Sequence, residues 1–455
     1  MKHYFVCSLV VLASWSTLAQ NPIVQTCYTA DPAPMVSGER VYLFTSHDEA
    51  GADFFWMYDW HLYSSADMVN WTDHGSPASL STFSWADDRA WAVQCVERNG
   101  MFYLYAPVHS KLSGAMSIGV AVADTPEGPY HDALGRPLID GDWAYIDPTV
   151  MVDNDGQSYI FWGNPEIFYA ELNDDMISLK SDIKVVHQTV EGFGAPGPKE
   201  RVQDAIYTDN YTEGPWIMRR ADTYYLLYAA GGVPEHLAYS TSASINGPWK
   251  YEGVIMPLES TGSFTNHCGV IDFKGHSYLF YHTGKLPGGG GFDRSVAVEE
   301  FRYTADGHFP IIHHTDEGVK PIGTLNPYVC VQAETMAFSS GVATSQFKNG
   351  VYVDAIHNGD YVKLRAVDFG NGGAEKVVAS MSSALSGGTA EWHIDAVDGE
   401  LMATLVVGNT GGWESFVTVE SDIVKDITGI HDVYISFKGY KGCRLMNFDW
   451  WQLKY

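Results

Sequence analysis

Three acidic residues, each followed by proline or by Gly-Pro, have the types and spacing that hydrolysis requires. Asp31 stands in the sequence YTADPAP, Asp147 in AYIDPTV and Glu213 in YTEGPWI. Cleavage of a glycosidic bond needs one carboxylic acid to protonate the departing oxygen and one carboxylate to activate water or attack the sugar. A third acid can hold that pair in the required protonation states. The three motifs therefore indicate acid–base hydrolysis of a sugar substrate.

A fivefold repeat is expected to position these acids. A short aromatic strand of the form Tyr-apolar-apolar recurs at intervals of about 50 to 70 residues, at Tyr42, Tyr103, Tyr159, Tyr225 and Tyr278. Each interval has room for one four-stranded antiparallel sheet, which predicts an all-β fold with a five-bladed β-propeller. The innermost strand of each blade would carry the residue 11 or 12 positions before its tyrosine, namely Asp31, Trp91, Asp147, Glu213 and His267. All five side chains would then converge on one axial pocket.

The repeat by itself does not decide which acid plays which part. Asp31 in the first unit and Glu213 in the fourth approach the axis from well-separated directions, which leaves space for a water molecule. A separation of roughly 6.5 to 9.5 Å between their carboxyl groups would mean inversion at the anomeric carbon. Asp147, in the unit beside Glu213, is placed to raise the pKa of the acid by like-charge repulsion.

The three motifs, in this order and register, resemble the signature of glycoside hydrolase family 43 over about residues 24 to 318. The resemblance implies a five-bladed propeller with inverting chemistry. It implies Asp31 as general base, Glu213 as general acid and Asp147 as the residue that tunes and orients the acid. It also implies sugar-stacking or hydrogen-bonding positions at Trp91, Trp162 and Arg294. His267 matches an axial histidine that in some members lies beside a calcium ion or a water molecule.

The stretch that begins at Thr45, TSHDEAGADFFWMYDWHLYSSADMVNWTDHG, resembles the arabinoxylan-trimming branch of that family. That branch releases α-L-arabinofuranose from xylan. Members with nearly the same core cut β-xylosides or arabinan, so a β-D-xylosidase or arabinan hydrolase with the same acids stays open. A non-catalytic sugar-binding propeller is the alternative from another class, although neutral side chains would bind sugar without the repulsion between three acids. The chemistry itself is expected to need no cofactor.

The composition favours a neutral polysaccharide as the partner. The chain of 455 residues has 27 Lys plus Arg against 55 Asp plus Glu, a net charge of −28, which repels nucleic acid and acidic membrane surfaces. Its aromatic content of 14% offers rings that stack on sugar faces. Residues 1–19 have the basic start, short apolar core and small-residue end of a signal peptide cleaved near Ala19. A secreted or periplasmic protein that does not span a membrane is expected, and no feature predicts its oligomeric state.

A second domain follows the repeat. The phrase VKPIGTLNP predicts a linker over residues 319–327, between a propeller domain of residues 20–318 and a β-sandwich of residues 328–455. The segments VQAETM, NGDYVKLRAVDFG, TGGWESF and NFDWWQL resemble carbohydrate-binding module family 6, a jelly-roll sandwich. The resemblance implies Trp413 as the sugar-stacking ring and Asn447 as its hydrogen-bonding partner. Ala355 departs from the family, whose members commonly carry a tyrosine there.

Two carboxylates at opposite ends of this second domain suit a structural calcium ion. Glu334 and Asp449 belong to the first and last predicted strands, which usually meet, and Gln332 lies nearby. Calcium prefers hard oxygen ligands, and the family has such an ion. A second calcium ion beside His267 is a poorer fit, because imidazole is a poor ligand for calcium. The five cysteines beyond the signal peptide form no disulfide framework, although a bridge between Cys330 and Cys443 stays open.

Overall fold

Nearly every regular element of the chain is a β-strand. The computed structural model describes residues 20–195, 210–347 and 350–455. Within these ranges the strands form seven antiparallel sheets, and the helices are a 3-10 helix, Leu80–Thr82, and an α-helix, Val190–Phe193. The all-β prediction is therefore confirmed, whereas the predicted signal peptide lies outside the described residues.

None of the helices in the described ranges has the length and apolar character that crossing a bilayer demands.

The first five sheets follow one another along the chain. Sheet 1 contains β1 (Thr29–Ser37), β2 (Arg40–His47), β3 (Asp59–Ser65), β4 (Trp71–Asp73) and β5 (Ala78–Ser79). Sheet 2 contains β6 (Ala86–Asp88), β7 (Gln94–Arg98), β8 (Met101–Ser110), β9 (Ala115–Ala123) and β10 (His131–Asp132). Sheet 3 contains β11 (Thr149–Val152), β12 (Ser158–Trp162), β13 (Phe168–Leu172) and β14 (Lys184–Val185). Sheet 4 contains β15 (Tyr211–Arg220), β16 (Thr223–Ala230), β17 (His236–Ser242) and β18 (Lys250–Met256). Sheet 5 contains β19 (Gly269–Phe273), β20 (His276–Thr283) and β21 (Ser295–Phe301).

The repeated tyrosines fall one in each of these sheets, on β2, β8, β12, β16 and β20. Each of these strands pairs with the strand before it, and the residues predicted to be axial lie within the first residues of that preceding strand or up to three residues before it. Asp31 and Glu213 lie within β1 and β15, whereas Asp147 and His267 precede β11 and β19 by two residues and Trp91 precedes β7 by three. The strand repeat thus places one candidate site residue at the same end of every sheet.

Sheets 1 and 5 are neighbours although they lie at opposite ends of this region. The backbone N–H groups of Ile23 and Thr29 donate to the carbonyl oxygens of Val296 and Arg294, at 2.9 Å in both cases. Several sheets also share one apolar core, to which sheets 1, 2, 4 and 5 contribute Leu62, Leu104, Leu227 and Leu279. Burial of this shared surface holds these four sheets together, and sheet 3 packs on sheets 2 and 4 through two smaller apolar clusters.

Two further sheets form the C-terminal module. Their strands are β22 (Val331–Gln332), β24 (Phe338–Ser340), β25 (Ala343–Phe347), β26 (Gly350–Asp354), β27 (Tyr361–Asp368), β28 (Lys376–Ser383), β29 (Gly388–Ile394), β30 (Glu400–Val407), β31 (Gly412–Asp422), β32 (Ile430–Lys438) and β33 (Asn447–Lys454). One sheet has the order β25-β26-β33-β28-β31, with β22 paired to β33, and the other has the order β24-β27-β32-β29-β30. The two sheets enclose a core that includes Trp392, Phe448 and Trp451, which makes the module a β-sandwich.

The strand β23 (Thr335–Met336) of the module joins sheet 1 instead of the sandwich. It pairs antiparallel with β4, with Thr335 opposite Thr72 and their hydroxyl oxygens 2.8 Å apart. Nearby, the Nδ2 of Asn70 donates to the carbonyl oxygen of Arg365 at 2.8 Å. Within the predicted linker, the Leu325 N–H donates to the carbonyl oxygen of Ala366 at 3.0 Å. Backbone pairing therefore attaches the module directly to sheet 1.

Candidate active site

One cavity of about 250 Å³ contains all three carboxylates that the sequence singles out. Its lining comprises Asp31, Phe54, Phe55, Met57, Trp91, Ala92, Ile146, Asp147, Asn164, Glu213, Thr265, Asn266, His267, His282 and Arg294. The volume is below the roughly 300 to 1,000 Å³ of pockets that hold drug-sized ligands. The cavity therefore suits a group of about the size of a single sugar ring.

Backbone geometry aims the acids into this cavity. Asp31 and Asp147 have φ values of 50° and 56°, in the left-handed region, and each is followed by proline. In the third motif the left-handed residue is Gly214, with φ of +60°, so Glu213 lies one position earlier than the two aspartates. A Cβ atom on Gly214 would lie 2.9 Å from Nδ1 of His267. Glycine is therefore favoured at this position both by the left-handed backbone and by the close contact with the His267 ring.

Asp31 is held in its ionised form. Burial is the largest single influence on Asp31 and raises its pKa, but the charge of Arg294, joined by the effects of His282 and His267, holds this pKa well below its usual range. Arg294 Nη1 donates to Asp31 Oδ1 at 3.0 Å, while its Nε and Nη2 donate to the two oxygens of Asp48 at 2.9 and 2.8 Å. Asp48 is 1% exposed. A buried arginine fixed by one carboxylate thus stabilises the negative charge on another.

The ring of His282 holds Asp31 in place through the Asp31 backbone N–H. The Nε2–H of His282 donates to the carbonyl oxygen of Thr265 at 2.9 Å, which leaves the Nδ1 lone pair to accept the Asp31 backbone N–H at 3.2 Å. The same Nδ1 is 3.5 Å from Asp31 Oδ1. Because Nδ1 carries no proton in this arrangement, we interpret His282 as a neutral support and not as an ion-pair partner.

The other two acids have the opposite electrostatic character. Burial, then the negative charges of Glu213 and Asp31, raise the pKa of Asp147 well above its usual range. Burial also raises the pKa of Glu213, although a hydrogen bond from the Nδ2 of Asn164 to Glu213 Oε2 partly opposes this rise. The Gly214 N–H donates to Asp147 Oδ2 at 3.0 Å. One cavity thus contains an ionised carboxylate and a pair of acids that retain a proton more readily.

Glu235 is a fourth acid next to this pair. It is 4% exposed, and its Oε2 accepts the Asn266 backbone N–H at 2.8 Å. Its Oε1 is buried and has no donor among the described groups. Burial, then the charge of Glu213, raise the pKa of Glu235 well above its usual range. A protonated Glu235 would satisfy the buried oxygen, because its O–H can donate to the neighbouring Glu213 carboxylate.

The remaining predicted pocket residues divide into two groups. Trp91 lines the cavity, and its indole N–H donates to the carbonyl oxygen of Phe55 at 3.0 Å. His267 also lines the cavity, and burial lowers its pKa to about 4, so its imidazole is neutral near pH 7. Arg294 lines the cavity too, but its donors are directed at Asp31 and Asp48, so it acts by holding carboxylates.

Trp162 corrects the sequence prediction, because it does not line the cavity. Its side chain is 0% exposed and packs in an apolar cluster, with its ring stacked on Phe168 at a centroid distance of 5.8 Å and edge-on to Tyr145 at 5.9 Å. A ring buried on both faces cannot stack on a sugar, so Trp162 is a core residue.

Several residues of the site were missed by sequence reasoning. Asn164, His282 and Phe55 line the cavity, and the Arg294 guanidinium lies over the Phe55 ring at 5.0 Å. Asp48 and Glu235 do not line it, but they act on Arg294 and Glu213, which do. Asp48 and His282 lie at the ends of repeat strands β2 and β20, so the repeat itself offered a signal for these two. Asn164 and Glu235 lie in segments between strands, where no periodicity marks them.

The predicted ligand site of the module is only partly assembled. Trp413 is the second residue of β31 and is half-buried, and the Arg444 guanidinium covers one face of its ring at 4.1 Å. Asn447 corrects the prediction, because it is 0% exposed, with its Nδ2 donating to the Trp413 carbonyl oxygen and its Oδ1 accepting from Arg444 Nη2, both at 2.6 Å. Asn447 therefore positions Trp413 and Arg444 and does not present its amide to a ligand.

The residues predicted to hold calcium in the module fit a cation in part. Glu334 is 4% exposed, and its Oε2 has no hydrogen-bond partner among the described groups. Burial, then the charges of Asp73 and Asp449, raise the pKa of Glu334 well above its usual range. Asp449 accepts a hydrogen bond from the Ser380 hydroxyl at 3.0 Å, whereas Gln332 is exposed on β22. An orphaned carboxylate oxygen beside a second carboxylate suits an oxygen-coordinated cation.

The five cysteines within the described ranges are free thiols, so Cys330 and Cys443 are not bridged.

Comparison with known proteins identifies the class. The family model of glycosyl hydrolases family 43 matches residues 19–309, and that of carbohydrate binding module family 6 matches residues 332–455. The chain is thus a glycoside hydrolase joined to a carbohydrate-binding module. It belongs to glycosyl hydrolases family 43.

Similar proteins support this assignment over the full length. An arabinoxylan arabinofuranohydrolase of Bacillus subtilis is 30% identical, over 95% of this chain and 92% of its own. A xylosidase/arabinosidase of Bacteroides ovatus is 31% identical, over 64% of this chain and 96% of its own. The crystal structure of a family 43 arabinoxylan arabinofuranohydrolase from Bacillus subtilis, in complex with cellotetraose, aligns with a TM-score of 0.80 at 30% identity, over 96% of this chain and 97% of that one.

Proposed function

We propose that this protein releases α-L-arabinofuranosyl side chains from arabinoxylan with inversion at the anomeric carbon. The observation that carries the proposal is the contrast within one cavity between an ionised Asp31 and the proton-retaining pair of Asp147 and Glu213. The full-length similarity to an arabinoxylan arabinofuranohydrolase supports the choice of substrate. We further propose that the five sheets are blades of a closed propeller, which the hydrogen bonds between the N-terminal segment and β21 favour.

The contrast assigns a role to each acid. Asp31 is the general base, because Arg294 keeps it ionised and therefore able to take a proton from water. Glu213 is the general acid that protonates the departing xylan oxygen, because burial raises its pKa. Asp147 and Glu213 repel each other when both are ionised, so the pair retains a proton that Glu213 can donate. The Asn164 amide orients the Glu213 carboxyl group toward the bond that breaks.

The shape and lining of the cavity suit an exo-acting enzyme. Its volume of about 250 Å³ accommodates a terminal furanose but not a length of polymer. Phe54, Phe55 and Trp91 line one side and offer aromatic surface to the sugar. Neutral His267 provides a polar group without adding charge. The polymer main chain would then remain outside the cavity.

Three further properties belong to the proposal. The module holds the enzyme near its polymer through Trp413, and Glu334 with Asp449 hold a structural calcium ion there. Residues 1–19 export the chain. A calcium ion beside His267 stays a prediction, and Asp31, whose charge acts on His267, is already paired with Arg294. Calcium is not needed for any step above.

The test is a substrate panel with product analysis. The full chain is incubated with wheat arabinoxylan, xylo-oligosaccharides and arabinan, and proton NMR follows the anomeric signal of the first sugar released. Arabinose from arabinoxylan alone, first seen as the β-anomer, is the expected result. Xylose from the oligosaccharides would indicate a β-xylosidase, and no product from any substrate would indicate a sugar-binding protein.

Two variants connect the result to the assigned roles. Asp31→Asn should abolish turnover of all substrates, because no other ionised carboxylate of the cavity is assigned to activate water. Glu213→Gln should impair the polymer far more than an aryl arabinofuranoside, because a good leaving group needs little protonation. Equal losses on both substrates would remove Glu213 as the acid.

A further inference from the structure

A cluster of two histidines and one aspartate lies in sheet 1, outside the lining of the acid cavity. His47 is the last residue of β2, and Asp59 and His61 lie at the start of β3. The antiparallel register pairs Ser46 with Trp60, so one further step sets His47 opposite Asp59. Asp59 and His61 share a face because side chains alternate along a strand, and Trp60 between them is fully buried on the other face.

The donor atoms of the three side chains converge. His47 Nδ1 lies 2.8 Å from Asp59 Oδ1, and His61 Nε2 lies 3.7 Å from Asp59 Oδ2. One donor atom from each residue falls within 4.8 Å of the others. Ligands of a tetrahedral zinc ion, bound at roughly 2.0 to 2.2 Å, lie roughly 3.4 Å from one another. The cluster is therefore close to the size of a zinc site.

A hydrogen bond behind His61 orients its ring. The Nδ1 of His61 lies 3.3 Å from the Tyr63 hydroxyl oxygen, which in turn lies 3.3 Å from the Cys27 sulfur. When Nδ1–H donates to that hydroxyl, the Nε2 lone pair is directed toward Asp59. Histidines that bind metals commonly donate their other ring N–H in this way, which fixes the tautomer. The arrangement prepares His61 to act as a ligand.

Solvent can reach the cluster. The side chains of His47, Asp59 and His61 are 24%, 26% and 15% exposed, so an ion can enter and water can complete its coordination. His276, by contrast, pairs with the single carboxylate of Glu300 at 2.8 Å and has no second imidazole beside that carboxylate among the described pairs. In those ranges this is the one group of three such side chains with convergent donor atoms.

We propose that His47, Asp59 and His61 bind a zinc ion. Two imidazoles and one carboxylate are a common ligand set for zinc, and the nitrogen donors disfavour calcium. The ion would tie the end of β2 to the start of β3. The residue after His47 is Asp48, which holds Arg294, so the ion would brace the strand that supports the acid cavity. The site is independent of the substrate proposed above.

Zinc binding is measured on untagged full-length protein after treatment with EDTA and dialysis. Isothermal titration with zinc chloride, in millimolar calcium that fills sites of hard oxygen ligands, should give one zinc ion per chain. His47→Gln and His61→Gln should each weaken binding by about tenfold or more, by analogy with losses on perturbing metal sites. The control His276→Gln should bind zinc as the wild type does. Zinc should raise the Tm of the wild type more than that of His61→Gln.

Cobalt substitution supplies an independent readout. Cobalt at a site of nitrogen and oxygen ligands should give visible d–d absorption, which His61→Gln should lose. No stoichiometric zinc binding by the wild type, or equal affinity in His61→Gln and wild type, would overturn the proposal. An intense thiolate charge-transfer band would also overturn it, because it would place the metal on cysteine. Circular dichroism checks that each variant is folded, and Asp59→Asn replaces any histidine variant that is not.

Discussion

The carboxyl group of Glu235 is expected to set the pH at which the general acid loses its proton. Its Oε2 accepts the Asn266 N–H at 2.8 Å, and its Oε1 is a buried oxygen beside Glu213 to which no group in the described part of the chain donates. A protonated Glu235 that donates to the Glu213 carboxylate stabilises the ionised form of Glu213 and so lowers its pKa. Glu235→Leu removes this donor, whereas Glu235→Gln keeps an acceptor for Asn266 and an N–H donor for Glu213.

The size of the effect follows from the bond that is lost. A hydrogen bond to a charged group contributes about 1.5 to 3 kcal/mol. At 1.36 kcal/mol per pKa unit, Glu235→Leu should raise the pKa of Glu213 by about 1 to 2 units. The acid must be protonated to act, so kcat/KM falls as pH rises through this pKa. The basic limb of the pH profile should therefore move to higher pH in Glu235→Leu and move much less in Glu235→Gln.

The assay is the pH dependence of kcat/KM with arabinoxylan oligosaccharides, whose leaving group needs protonation. Asp31 governs the acidic limb and is held low by Arg294, so that limb should not move. A basic limb that moves to lower pH in Glu235→Leu would refute the reasoning, because it would mean that Glu235 is a charged repeller of Glu213. A pH profile with neither limb moved in either variant would refute the hydrogen bond from Glu235 to Glu213.

Two further predictions concern stability and polymer binding. Asp48→Ala should lower the unfolding free energy of the catalytic region by about 3 to 5 kcal/mol in urea denaturation, because it leaves the buried Arg294 charge without its bidentate partner. Asp87→Ala, which breaks a surface pair with His109, should cost about 1 kcal/mol or less, and equal losses would contradict the argument. Trp413→Ala should lower retention on insoluble arabinoxylan several-fold, since a stacked ring contributes on the order of 1 kcal/mol, without changing aryl-arabinofuranoside rates. The control Tyr440→Ala removes an aromatic ring that is 75% exposed in the same module, and retention that falls equally in both variants would contradict a specific role for Trp413.

The fold class and the three acids were accessible from the sequence because local rules encode them. Alternating aromatic strands and their turns repeat at a regular interval, and this repeat marked the strand that bears each acid. The Asp-Pro dipeptides marked the positions of Asp31 and Asp147 but not their left-handed conformation, because a residue before proline favours an extended one. The same rules failed to show that Glu213 lies one position before the corresponding left-handed residue, Gly214, since a bulge in β15 shifts the register there.

The two tryptophans of the predicted pocket illustrate what local rules leave open. Trp91 and Trp162 both stand near repeat strands, and either ring could face a sugar. Trp91 lines the cavity, while Trp162 is enclosed between Phe168 and Tyr145. Which face of a strand is buried depends on the sheet packed against it, and that is a property of the assembled fold.

The sequence by itself indicated the order of the strands, the positions of three acids that share one cavity and the existence of a second β-domain, because turn chemistry and side-chain periodicity act over a few residues. Tertiary structure alone decided the protonation of those acids. Arg294 binds Asp31, which lies 263 positions away in the sequence, and Asp48, which lies 246 positions away. Glu235, which directly precedes β17, acts on Glu213 in β15. A pKa depends on burial and on charges a few ångströms away, and only the folded chain brings such distant residues to that distance.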